Sequence, residues 1–254
     1  MTEPLVRQAR DGDVAIVSLN RPARHNALVP DLLTALLEAL DEVAAGDAAA
    51  LVLSAEGRSF STGGDLRGFF EHRDSIGAYA ERLVGLLNDA ILAIHRLPLP
   101  TVCAVQGQVC GGSLGLLLAC DRIVMQQGAA IAPWYRAVGF SPDGGWTAML
   151  PGMIGTRQAL QWILGDDRYD AARCLELGLV QEVVATSALA SALTWAREVT
   201  TMSPGGTLNT LHLLRGDGED LARRLEAEKS AFVRQVQSPA ALAGIERFLR
   251  GEHT

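Results

Sequence analysis

Two hydrophobic periods alternate along the chain. The short aliphatic runs VAIVSL (14–19) and AALVLSA (49–55) flank LLTALLEALDEVAA (32–45), whose apolar positions recur at helical spacing. From about Ser75 to Leu97, the residues Ile76, Tyr79, Leu83, Leu86, Ala90 and Ile94 return every three or four positions, which predicts a long helix with one buried face. Pro98 and Pro100 end it, and TVCAVQG (101–107) follows as a strand too apolar to face water on either side. RIVMQ (122–126), AIAPW (130–134) and LVQEVV (179–184) predict further strands, with helical patterns at TAMLPGMIG and TRQALQWILG. Strands alternating with helices predict an α/β fold.

Beyond about Thr186 the pattern changes. SALASALTWAREVTTMS, LARRLEAEKSAFVRQV and SPAALAGIERFLRG predict amphipathic helices with no strand between them. The sequence thus divides into a core, 1–186, and a helical region, 187–254, that caps the core, packs on another subunit, or does both.

Composition narrows the function classes. Charged residues are 20% of 254 and mean hydropathy is +0.17, which suits a folded chain with a large core and some self-covered surface. A net charge of -7 and the absence of any basic cluster interleaved with aromatics argue against nucleic acid as a partner. No apolar run reaches membrane-spanning length and MTEPLVRQARDGD lacks the regions of a signal peptide, so a cytoplasmic protein is expected. Cys103, Cys110, Cys120 and Cys174 lack metal-ligand spacing and read as buried thiols, and no pair among the five histidines (His25, His72, His95, His212, His253) sits at i+4 on an apolar face. No metal site is expected. His95, at the end of a helical pattern, reads as solvated.

In GRSFSTGGDL (57–66) and QGQVCGGSLG (106–115), a strand leads through paired glycines towards a helix start, where N–H groups without intrahelical partners bind developing negative charge. Turn glycines give either segment alone an ordinary explanation. Nucleotide binding fails on detail: neither segment has phosphate-loop or dinucleotide-fold spacing, and the only lysine, Lys229, lies far from both.

Together NRPARHNAL (20–28), FSTGGDL (60–66) and AVQGQVCGGSLGLLLACD (104–121) resemble the signature stretches of the crotonase, or enoyl-CoA hydratase/isomerase, superfamily, in the same order and spacing. The resemblance spans about Asp11 to Leu249. It implies a spiral of repeated ββα units, a C-terminal helical region that builds trimers or hexamers, and an acyl-CoA thioester substrate with no cofactor beyond the coenzyme A it carries. By motif position, the thioester oxygen would sit between the N–H groups of Gly64 and Gly112. Arg24, Ala27, Thr62, Asp65 and Leu66 would line the CoA path, with Asp65 also capping its loop. Phe232 and Arg250 resemble contacts to the CoA nucleotide from a neighbouring subunit.

Hydratases of this family use two glutamates, and the matching positions here are Gly115 and Tyr135. Neither can activate water, which disfavours hydration. In WYRAVGFSPDGGWTAMLPGMIG (134–155) the only carboxylate is Asp143, and S-P-D-G-G is similar to the segment of Δ3,Δ2-enoyl-CoA isomerases and ring-oxepin isomerases whose acid moves a proton. Pro-Asp-Gly is also ordinary turn chemistry. Beside an oxyanion pair, and with Trp134, Tyr135, Phe140 and Trp146 expected as hydrophobic walls, Asp143 is the candidate acid and base. Two alternatives stay open. One is dehalogenase-like attack on an aryl-CoA, in which Tyr135 stands eight residues before Asp143; the other is a paralogue that binds acyl-CoA without turnover.

Overall fold

A computed structural model describes residues 3–251, so His253 lies outside the described residues. The strands are β1 (Val6–Asp11), β2 (Val14–Leu19), β3 (Ala50–Ala55), β4 (Thr101–Val105), β5 (Gln108–Cys110), β6 (Arg122–Gln126), β7 (Ala130–Ala132), β8 (Tyr169–Asp170) and β9 (Glu182–Val184). Six of them form one sheet in the order β1-β2-β3-β4-β6-β9, parallel except for the β1–β2 hairpin, and β5-β7-β8 form a smaller sheet beside it. This arrangement carries the α/β ββα spiral that the motifs imply.

Side-chain alternation along the central strands loads both faces of the large sheet. Val17, Leu53, Cys103 and Met125 join the main core with the helices Pro30–Ala45 and Ile76–Arg96. On the other face Val14, Val52, Val102, Ala104 and Val124 pack against Ala188, Ala192 and Ala196 of the helix Ala188–Thr200. Alanine at every fourth position lets that helix approach the sheet closely. β4, predicted as a two-sided strand, is buried at all five residues. The helical region after residue 186 thus supplies one whole layer over the sheet.

Several elements lie outside the sequence expectations, and two of them have a plain physical reason. β1 reads VRQARD because it is an edge strand with four exposed residues, so no alternation marks it. The helix Pro204–Arg215 buries no residue, and its Gly205–Gly206 pair gives it weak helical propensity. Its Leu213 and Leu214 are each 82% exposed. Among the described residues, no helix is long and apolar enough to cross a membrane, and no group of three His, Cys, Asp or Glu side chains could hold a metal ion.

His95 is half-buried rather than solvated. Its Nε2 donates to the Arg215 carbonyl at 3.0 Å, and burial holds its pKa below the usual imidazole value. Arg215 in turn donates to the carbonyls of His95, Leu97 and Leu99 at 3.2, 2.7 and 3.1 Å and to Asp121 at 2.8 Å. One guanidinium therefore satisfies the turn between the long helix and β4, with Asp121 also accepting the Thr101 N–H at 2.7 Å. Arg215→Ala leaves these carbonyls without their donor and Asp121 with only its Thr101 partners, at an expected cost of about 3 kcal/mol. Urea denaturation measures it, and a loss below about 1 kcal/mol would make the contact an ordinary surface ion pair.

Candidate active site

Strand pairing joins the two glycine loops. Ser61 bridges Val109 in parallel register, with its N–H on the Gln108 carbonyl at 3.2 Å and its own carbonyl accepting from Cys110 at 3.0 Å. Ser113 fastens the junction, accepting the Gly63 N–H at 3.0 Å and donating to the Cys110 carbonyl at 2.6 Å. On the other side Leu28 donates to the Gly63 carbonyl at 2.8 Å and accepts from Asp65 at 2.9 Å. That parallel bridge uses the peptide groups on one edge, so the N–H of Gly64 itself turns the opposite way. Gly112 lies in the first turn of the helical stretch made by Gly111–Ser113 and Leu114–Leu118, where N–H groups have no intrahelical acceptor. Both glycines line a cavity of about 430 Å³.

Asp143 closes this cavity from the far side of the sequence. The turn holding it has Gly144 at φ +61° and Gly145 at φ +90°, left-handed conformations that favour glycine. A Cβ on Gly144 would stand 2.2 Å from the Gly112 carbonyl oxygen, and one on Gly112 would stand 2.8 and 2.9 Å from the Asp143 carboxylate oxygens. The carboxylate therefore lies directly over Gly112. It is 6% exposed and accepts the Tyr135 hydroxyl at 2.6 Å through Oδ1. Burial pushes its pKa up to about 7; the Tyr135 hydrogen bond opposes this, and the charge of Glu228 adds to it. Burial likewise holds the Tyr135 phenol well above its ordinary pKa, so it stays a donor.

Glu228 is the residue that sequence reasoning missed. From the helix Glu219–Val236 it accepts the N–H groups of Gly145 and Ala148 at 2.7 and 2.9 Å and the Thr147 hydroxyl at 2.7 Å, anchoring the turn that carries Asp143. A signal existed: Glu228 falls on the buried stripe of Leu225, Phe232 and Val236, where a carboxylate needs partners.

Arg24, Ala27, Thr62, Asp65, Leu66, Tyr135 and Phe232 all line the cavity with Gly64, Gly112 and Asp143. Asp65 caps the helix Leu66–Glu71 through the Arg67 N–H and pairs with Arg21 at 2.8 Å and Arg24 at 3.4 Å. Phe232 is 3% exposed and packs within its own chain on Phe69 and Phe140. Arg250 follows the helix Pro239–Leu249, pairs with Glu246 at 4.0 Å and lies outside the lining of its own chain's cavity. One expectation is corrected. Trp146 is no wall, because it sits behind the site with its indole N–H on the Gly111 carbonyl at 2.8 Å, whereas Trp134, Tyr135 and Phe140 do face the cavity.

The sequence profile of the enoyl-CoA hydratase/isomerase family matches residues 9–252. The chain belongs to this family. Among its relatives, enoyl-CoA hydratase domain-containing protein 2 of Mus musculus is 30% identical over 241 residues, 91% of this chain and 80% of that one. 4-Chlorobenzoyl coenzyme A dehalogenase-2 of an Arthrobacter species is 34% identical over 177 residues, covering 67% of this chain and 62% of that protein. The crystal structure of enoyl-CoA hydratase from Bacillus halodurans superposes with a TM-score of 0.89 at 26% identity, over 95% of this chain and 99% of that one. As a member of the crotonase superfamily, this chain is an acyl-CoA-transforming enzyme.

The buried aspartate of this crotonase member makes stability depend on pH. Its folded pKa, about 7, lies above the ordinary 3.8, so the folded state holds the proton more tightly and stability falls as pH rises between those values. Asp143→Asn escapes that loss. The variant is expected to be more stable than the native chain by a few kcal/mol at about pH 8, with the difference vanishing near about pH 4. Urea unfolding at both pH values measures it, and equal stability at the higher pH would remove burial as the source of the shift.

Proposed function

We propose that this crotonase-superfamily enzyme is a Δ3,Δ2-enoyl-CoA isomerase in which Asp143 is the single acid and base. The observation that carries the reading is the place of that carboxylate: buried, titrating near neutrality, and directly over Gly112. With the thioester oxygen held by the N–H groups of Gly64 and Gly112, the proton on C2 becomes acidic. Asp143 takes it as base, electron density moves through the dienolate, and the same carboxyl returns the proton at C4. The double bond passes from the 3- to the 2-position with no water consumed. A base whose pKa matches the working pH suits both transfers.

Hydration is disfavoured by packing as well as by chemistry. A Cβ at Gly115, where hydratases of the family carry one glutamate, would stand 2.4 Å from both the Gly144 carbonyl oxygen and Ile91 Cδ1. The turn that brings Asp143 in occupies the space a glutamate would need.

The dehalogenase-like reading has one observation in its favour: the Tyr135–Asp143 pair together with the 34% identical dehalogenase relative. Against it, the hydrogen bond from Tyr135 ties up one carboxylate oxygen, which aids proton transfer control more than attack on a ring. The proposal extends to a homotrimer or hexamer and a cytoplasmic setting, with coenzyme A entering only as part of the substrate. Leu213 and Leu214 support assembly, since an exposed leucine pair on a helix with no buried residue suits a subunit contact. Leu213→Asp combined with Leu214→Asp is expected to yield monomers by light scattering on a sizing column; an unchanged mass would place the contact elsewhere.

The purified enzyme is expected to convert a 3-enoyl-CoA into the conjugated 2-enoyl ester, with kcat/KM rising with pH and levelling above about 7. Asp143→Asn should lower turnover by about 10²- to 10⁴-fold while CoA-ester binding persists. Rapid hydration of crotonyl-CoA would overturn the isomerase reading, and halide release from 4-chlorobenzoyl-CoA would replace it with the aryl one.

A further inference from the structure

One wall of the cavity is built of aromatic rings that the proposed proton transfer does not use. Phe69, Phe140 and Phe232 stand with ring centroids 5.5, 6.0 and 5.2 Å apart, a closed triangle of tilted and edge-on contacts. Phe69 and Phe232 are 1% and 3% exposed, and Phe140 is half-buried beside them. It also begins close to the reacting end. A Cβ on Gly64 would stand 2.9 Å from Phe69 Cε2, so this ring lies one contact layer from an oxyanion glycine.

The wall is braced from behind. Tyr79 meets Phe69 edge-on at 5.1 Å and stacks on His72 at 4.5 Å. Its hydroxyl lies against Gly68, where a Cβ would come within 2.3 Å. Tyr79 thus packs along the helix Leu66–Glu71, against both Gly68 and Phe69. The third ring comes from the C-terminal helix Glu219–Val236, one turn beyond Glu228.

We infer that Phe232, seated against Phe69 and Phe140, is a specificity-determining residue that limits the acyl group to a compact apolar one, a short chain or a single ring, and rejects long straight chains. The inference rests on the acyl-CoA reading of the site. The helix that anchors the Asp143 turn through Glu228 thus also sets the depth of the pocket.

Calorimetric titration with butanoyl-, benzoyl- and octanoyl-CoA tests this on saturated or unreactive esters, independently of any double-bond shift. In an open-ended apolar pocket each added methylene would tighten binding by about fourfold. The native enzyme is expected instead to bind octanoyl-CoA at least about tenfold more weakly than butanoyl-CoA, with benzoyl-CoA near butanoyl-CoA. Phe232→Ala should bring octanoyl-CoA level with butanoyl-CoA or beyond it, and Phe232→Leu, which keeps more of the packing, should move the ratio the same way. A ring that serves only as core would lower stability and leave the ratio unchanged, which overturns the inference, as does native octanoyl-CoA binding tighter than butanoyl-CoA. Absence of binding for all three esters overturns the acyl-CoA reading itself. The expected ranking without turnover of any 3-enoyl-CoA overturns only the isomerase assignment.

Discussion

The site depends on two backbones touching with no side chain between them. Gly144 rests on the carbonyl of Gly112, and the carbonyl of Gly144 rests over Gly115, at separations that no Cβ tolerates. This contact places the Asp143 carboxylate over the start of the glycine-led helix. Tyr135 then fixes one carboxylate oxygen from in front, and Glu228 holds the following turn from behind. Replacing any of these glycines would shift the Asp143 carboxylate relative to Gly112.

The same contact accounts for the electrostatics. Packing the turn onto the helix start removes Asp143 from water, which raises its pKa more than the Tyr135 hydrogen bond lowers it. Glu228 is a second buried carboxylate nearby, stabilised by peptide N–H groups and a threonine hydroxyl. The cost to folding at neutral pH falls on Asp143, whose charge is buried beside that of Glu228. A carboxyl whose pKa lies near neutrality and a lower folding stability are two consequences of one burial.

Much of the architecture was legible in the sequence because it is written in local periods. The long helix appeared as the stripe from Ile76 to Ile94 and occupies Ile76–Arg96, and β4 appeared as an apolar run and is buried throughout. Elements without an apolar period were not legible: β1, polar at an edge, and Pro204–Arg215, which buries nothing within its own chain. At the site, Asp143 and the glycines stood out by their spacing. Glu228 did not, and Phe232 and Trp146 were named without their actual neighbours, since a local pattern says which residues are buried and not what they are buried against.

The sequence by itself determined the α/β class, the family, the two glycine loops and Asp143 as the candidate carboxylate. Each of these depends on residue type and short-range spacing. Tertiary structure decided what Asp143 faces, which residue anchors its turn, and which rings close the acyl pocket. Those contacts join segments about 30 to 160 residues apart, and only chain packing brings them within a few ångströms.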